Sequence, residues 1–194
     1  MEDRSLHIRK KSCLGLGLTG MLLLTGCSIG IGKKAVLTYD GSLELELGET
    51  KIAEVVEAGF TDKYSHDGKA QIDGSSWENF YAMKGDVTYG TMYAANKGSQ
   101  KVAFEDGKVF RVVIDYQDPD YATGEILING VNYEGYTRDQ IKEAMNGAEM
   151  TLDSETYLDF EDGKFEYTFH FEDGSETVCS ISIDDGTDWE LVIR

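Results

Sequence analysis

The chain is poor in the residues that staple, break or catalyse. Its 194 residues hold three cysteines, one proline and three histidines. Cys13 and Cys27 lie in the N-terminal apolar segment, so Cys179 stands alone in the remainder, which excludes a disulfide-stapled scaffold. His7, His66 and His170 are scattered singly, and no H-E-x-x-H, G-x-S-x-G, phosphate-binding glycine loop or C-x-x-C accompanies them. These absences point away from metallohydrolase, serine-hydrolase, nucleotide and dithiol chemistry. Positive charge is scarce too: 18 basic residues face 36 acidic ones, a net charge of −18. Such a surface repels phosphate backbones, so no nucleic-acid partner is expected. No apolar run reaches the roughly 20 residues that a spanning helix needs.

What is present begins at the N-terminus. Residues 1–12 end in Arg9, Lys10 and Lys11, and residues 13–25, "CLGLGLTGMLLLT", carry no charge. A basic stretch before a short apolar one is the layout of a secretory signal. The apolar run ends in Leu24, Thr25, Gly26 and Cys27. This resembles the lipobox of bacterial lipoproteins: an aliphatic residue, two small residues, then cysteine. The resemblance implies cleavage between Gly26 and Cys27 and a diacylglyceryl group on the Cys27 thiol. Each buried CH₂ adds about 0.8 kcal/mol, and two acyl chains anchor stably where one does not. The expected location is therefore the extracytoplasmic face of a bacterial membrane, with the lipid as anchor. Beyond residue 26 the chain keeps 14 basic and 34 acidic residues, a net charge of −20. That charge repels anionic headgroups, favours solubility, and attracts cations or a basic partner.

Residues 27–41 are glycine-bearing and weakly patterned, and read as the lipidated cysteine and a flexible tether. Patterning then sharpens. "SLELEL" (42–47) alternates Leu43, Leu45 and Leu47 with Glu44 and Glu46, the signature of a half-buried strand. In 48–60 the period switches: Ile52, Val55 and Val56 fall at i, i+3, i+4, with Gly59 as the stop. Residues 61–76 read as a loop. Strands are expected at 77–83, 86–95, 100–105 and 108–117, with Asp-Gly punctuating the later ones. Pro119 breaks the chain. A strand at 125–130 ends in Asn129-Gly130, and 136–148 is a second helix, with Thr137 and Gln140 spaced as a capping box. Strands at 151–161, 164–172, 176–184 and 189–194 complete the chain. In 164–172, Phe165, Tyr167, Phe169 and Phe171 share one face, while Glu166, Thr168, His170 and Glu172 share the other. In "TVCSISI", Cys179 falls in phase with Ile181 and Ile183, as a buried structural thiol would.

The reading is an α+β, antiparallel sheet-rich domain with two short helices. It divides into a signal (1–26), a tether (27–41) and two similar strand–helix–meander modules, 42–117 and 118–194. The helix motif "GYTRDQIKEAMNGA" followed by a Tyr/Phe-rich meander resembles the helix-plus-sheet modules of the β-lactamase-inhibitor-protein-like superfamily. Tandem copies and lipoprotein anchors both occur there. The inhibitor's disulfides are absent here.

For function, no catalytic residue, metal ligand or cofactor is expected. The acidic loops 115–125 and 184–190 do not match the EF-hand spacing. Eleven tyrosines and two tryptophans, many on strands, suit both a core and a stacking surface. The expectation is a membrane-anchored lipoprotein whose domain binds an envelope protein or helps assemble an envelope complex, which requires an exposed aromatic patch on the sheet. The alternative is a small-ligand, glycan or cation-binding lipoprotein, which requires a pocket.

Overall fold

A computed structural model describes residues 34–64, 71–118 and 120–186. The expected signal segment and lipobox, His66, Pro119 and the strand expected at 189–194 lie outside the described residues. Fourteen strands are described: β1 (Val36–Tyr39), β2 (Leu43–Glu46), β3 (Thr61–Asp62), β4 (Gln71–Ile72), β5 (Ser76–Lys84), β6 (Val87–Asn96), β7 (Val102–Ala103), β8 (Lys108–Asp115), β9 (Ala122–Thr123), β10 (Ile126–Ile128), β11 (Glu149–Asp153), β12 (Tyr157–Asp162), β13 (Phe165–His170) and β14 (Ser180–Asp185). Two α-helices, α1 (Ile52–Glu57) and α2 (Arg138–Ala144), follow β2 and β10. The protein is therefore a sheet-dominated α+β fold.

The large sheet runs in the order β11-β12-β13-β14-β8-β6-β5-β3, with β9 added in parallel beside β6. The meander β5-β6-β8 and the meander β12-β13-β14 meet through their last strands, Arg111 opposite Asp184 and Ile114 opposite Ile181. A three-stranded sheet, β10-β1-β2, lies apart from it, and β4 pairs with β7. Each side chain alternates between the two faces of its strand. On the large sheet's inner face Phe80, Met92, Val112, Ile181, Phe169 and Phe160 are all buried, and so are Leu37, Tyr39 and Leu45 of the small sheet. One cluster of buried residues joins the two sheets. Tyr39, Phe60 and Tyr89 pack ring to ring within it, as do Tyr133, Phe169 and Phe160.

The helices are too short to form alone, since isolated helices below about 12 residues are marginal. Their buried positions hold them. Ile52 and Val55 of α1 are fully buried, whereas Val56 is 44 % exposed and lies off the apolar stripe its spacing suggested. Gly59, at φ +92°, closes α1: its N–H donates to Val56 and that of Phe60 to Val55. That pair of bonds satisfies the last carbonyls, and only a residue free to take positive φ fits there. At α2 the capping box forms as expected. The Gln140 N–H reaches Thr137 Oγ1, and the Thr137 N–H donates to Gln140 Oε1 at 2.9 Å. Ile141 and Met145 are buried beneath it.

Four expectations are corrected. The tether read at 27–41 does not extend to residue 41, because β1 is the central strand of the small sheet, with Ala35, Leu37 and Tyr39 fully buried. The strand expected at 151–161 is a hairpin, β11–β12, whose turn is set by Ser154: its Oγ accepts from the Tyr157 N–H at 3.1 Å. The strand at 100–105 shortens to β7 and a 3₁₀ turn, Phe104–Asp106, which tucks Phe104 into the core. The loop at 61–76 carries β3 and β4 at its ends.

Candidate functional site

The outer face of the large sheet is where polar and aromatic side chains gather. The strand register writes it out as rungs. One rung reads Asn79, Tyr93, Arg111, Asp184, Glu166, Glu161, Glu149, each opposite the next on the neighbouring strand. The next reads Tyr81, Thr91, Val113, Ser182, Thr168, Asp159, Leu152. None of these fourteen residues is buried, while alternate positions on β5, β6, β8, β12, β13 and β14 form the core; β11, at the sheet edge, is exposed throughout. Sheets of this kind cover one face and leave the other to solvent.

The rungs change character from end to end. On β5 and β6 the face is aromatic. Trp77 meets the Tyr93 ring edge-on at 5.3 Å, and Tyr93 meets Phe110 at 6.5 Å. Trp77 and Tyr81 lie on the same face of β5, about 13 Å apart at ~3.3 Å per residue. Arg111 is the junction: its guanidinium lies over Tyr93 at 5.9 Å and pairs with Asp184. Beyond it the face is acidic. Among the described residues Glu166, Glu161 and Glu149 make no ion pair, although they sit opposite one another on three adjacent strands. Like charges in that register repel, so the row costs stability and gains from any cation laid across it.

The other residues singled out in the sequence fall elsewhere. His170 lies on the outer face, its ring 4.9 Å from that of Tyr157. Cys179 is buried, its Sγ accepting from the Glu172 N–H, so it is structural. In the acidic loop after β8, one oxygen each of Asp115 and Asp118 accepts from the loop's own backbone. Asp115 accepts from the Gln117 N–H, and Asp118 from the N–H groups of Asp120 and Tyr121. Of the loop 184–190, Asp184 pairs with Arg111 and Asp185 is buried against Lys164 Nζ at 2.9 Å, with the rest outside the described residues. Among the described residues no group of three or more His, Cys, Asp or Glu gathers as a metal site. Cys27 and Gly26 lie outside them. The tyrosines divide: Tyr39, Tyr89, Tyr133 and Tyr167 are core, while Tyr64, Tyr81, Tyr93, Tyr121 and Tyr157 reach the surface.

A concavity of about 410 Å³ lies beside Gly48, between the ends of β6, β8 and β14. Its charged groups neutralise each other. Lys108 pairs with Glu49 at 2.7 Å, which holds the Glu49 carboxyl below the usual carboxylate range, and Lys164 pairs with Asp185. The cleft is an ion-paired seam rather than an unsatisfied site.

The chain matches no family model, no curated protein and no solved structure. Arg111 and the glutamate row were invisible in the sequence, because strand pairing across distant segments creates them; the alternating Glu166, Thr168, His170 face was the part in view.

Proposed function

We propose that the chain is a lipid-anchored, extracytoplasmic bacterial lipoprotein, held in the membrane by diacylated Cys27, whose domain is a non-catalytic module that binds an envelope protein. The observation that carries this reading is the outer sheet face. It offers an aromatic end, Trp77, Tyr93 and Tyr81, and an acidic end, Glu166, Glu161 and Glu149. Aromatic side chains anchor protein interfaces, and an acidic row beside them selects a basic partner by charge. The chain's net charge of −18 steers such a partner from a distance. The domain is further read as two strand–helix–meander modules, which the placement of α1 after β2 and α2 after β10 supports, as does the meeting of two three-stranded meanders at β8 and β14.

The test is a crosslinking pull-down of the full chain from its native cells, with two variants beside it. Cys27→Ala is expected to lose fatty-acid labelling and membrane association, and Trp77→Ala with Tyr93→Ala to lose one dominant partner. Retention of that partner by the aromatic variant would remove the sheet face from the account. Loss of every protein signal, with capture of wall fragments in its place, would favour the glycan-binding alternative.

A further inference from the structure

A second aromatic cluster lies at the β3–β5 edge and shares Tyr81 with the sheet face. The Lys63 N–H donates to the Tyr81 carbonyl at 3.1 Å, which places residue 63 beside β5. Its side chain then lies over three rings: Nζ is 4.4 Å from the Tyr121 centroid, 5.1 Å from Tyr81 and 5.6 Å from Tyr64. All three distances fall within the roughly 6 Å range of a cation held by aromatic faces. The rings stand at an angle to one another. Tyr64 is inclined 69° to Tyr81, and Tyr121 is inclined 61° to it. Three inclined walls around one ammonium make a cage.

The walls are held in place. Asp62 Oδ1 accepts from the N–H groups of Tyr81 and Tyr64. The Tyr81 hydroxyl donates to Asp118, whose other oxygen accepts from the Tyr121 N–H. So Asp118 ties two walls together and puts a carboxylate behind them. The Tyr81 hydroxyl is pushed up to about 12 by burial and by Asp118, so it remains a donor at any physiological pH. Asp118 itself is held low, first by that bond, and Lys63 adds to the effect.

Lys63 and Tyr64 are both exposed, so the occupant of this cage can leave without opening the core. A primary ammonium is a strongly hydrated ion, which gains little from aromatic walls at an exposed site. A trimethylalkylammonium group carries the same charge spread over methyl groups, sheds water more readily and fills three walls better. We propose that Tyr64, Tyr81 and Tyr121 form a binding site for a small quaternary ammonium ligand, with Lys63 as an internal occupant that the ligand displaces. Asp118 and the acidic surface favour a ligand of net positive charge over a zwitterion. This inference does not depend on the protein-binding reading of the sheet face.

The experiment uses the full lipidated chain, 13C-labelled at tyrosine, in a maltoside detergent that carries no choline. Choline chloride is titrated while the ring signals of the three tyrosines are followed. The full chain is expected to show saturable shifts, and Lys63→Ala to bind about tenfold tighter once its competitor is gone. Lys63→Gln serves as a second variant that keeps the side-chain length. Sodium chloride at equal ionic strength is expected to give no saturable shift. Both 3,3-dimethylbutan-1-ol, a neutral choline analogue, and glycine betaine, a zwitterion, are expected to bind at least about tenfold weaker than choline. Tyr121→Ala in the Lys63→Ala background is expected to abolish binding. Three outcomes overturn the proposal: no saturable shift in either lysine variant, equal affinity with and without Lys63, or equal binding of the neutral analogue.

Discussion

Single residues show where charge is held at a cost. Asp162 Oδ2 is enclosed at the end of β12 without a hydrogen-bond partner, and burial raises the carboxyl's pKa. A raised carboxyl pKa means that the ionised form is penalised in the fold. Above the raised pKa the penalty is complete; below the unfolded value, near 4, the group is protonated in both states and the penalty vanishes. Asp162→Asn is therefore expected to raise the melting temperature by about 2 °C at pH 7, with a gain that fades as pH falls towards 4. Thermal scans across that pH range check it. Asp185 is the opposite case, a carboxylate only 2 % exposed that faces the Lys164 ammonium at 2.9 Å. Lys164→Met takes one partner from a buried charge and is expected to cost about 1–3 kcal/mol in denaturant unfolding, with Lys164→Arg recovering most of it. At this scale the sequence was legible wherever strict alternation ran: Leu43, Leu45 and Leu47 turn inward as their spacing requires. It was not legible for Val56, since a six-residue helix buries too narrow a stripe for a third apolar residue. Nor was it legible for Lys63, whose three ring partners lie at positions 64, 81 and 121.

At the scale of elements, caps and turns decide the boundaries. Thr137 and Gln140 satisfy two N–H groups of α2 reciprocally. Thr137→Ala is expected to cost about 1 kcal/mol, read from the shift in denaturation midpoint at constant slope. Arg138 then fastens the helix to the β11–β12 turn, donating to the Glu155 carbonyl at 3.1 Å and to Asp153 at 2.8 Å. Gly90 lies where the β5–β6 pairing shifts register, between Thr88 and Thr91. It sits at φ +85°, and a Cβ there would lie 2.4 Å from the Val113 carbonyl oxygen. Gly90→Ala forces both a strained backbone and a clash with β8. Its expected cost is about 2–4 kcal/mol in the same unfolding measurement. The capping box and the Asn129-Gly130 turn could be read in advance because each is local chemistry over four residues or fewer. β1 could not: its alternation of Ala35, Leu37 and Tyr39 is short, follows a glycine-rich stretch, and gains its strand character from β2 and β10 on either side. The β11–β12 hairpin was missed because Ser154 turns the chain without glycine or proline.

At the scale of the whole molecule, the sheet order is the property that no local pattern holds. β8 and β14 pair although Arg111 and Asp184 are 73 positions apart, and that pairing joins the two meanders into one surface. Only then do Asn79, Tyr93 and Arg111 align with Asp184, Glu166, Glu161 and Glu149. The antiparallel, sheet-rich class was within reach of the sequence because periodicity two recurs along most of the chain. The identity of the face left to solvent follows from which strands meet. This face is proposed to meet a partner protein while Cys27 holds the chain to the membrane. The most direct measurement places a photocrosslinking side chain, in living native cells, at Thr91, Ser182 or Thr168 on the face, and at Glu57 or Glu105 away from it. The account expects one discrete crosslinked protein from the face positions and none from the other two, weakening when Glu166 and Glu161 are both changed to Lys. Equal crosslinking from both sets of positions, or none from the face, would contradict it.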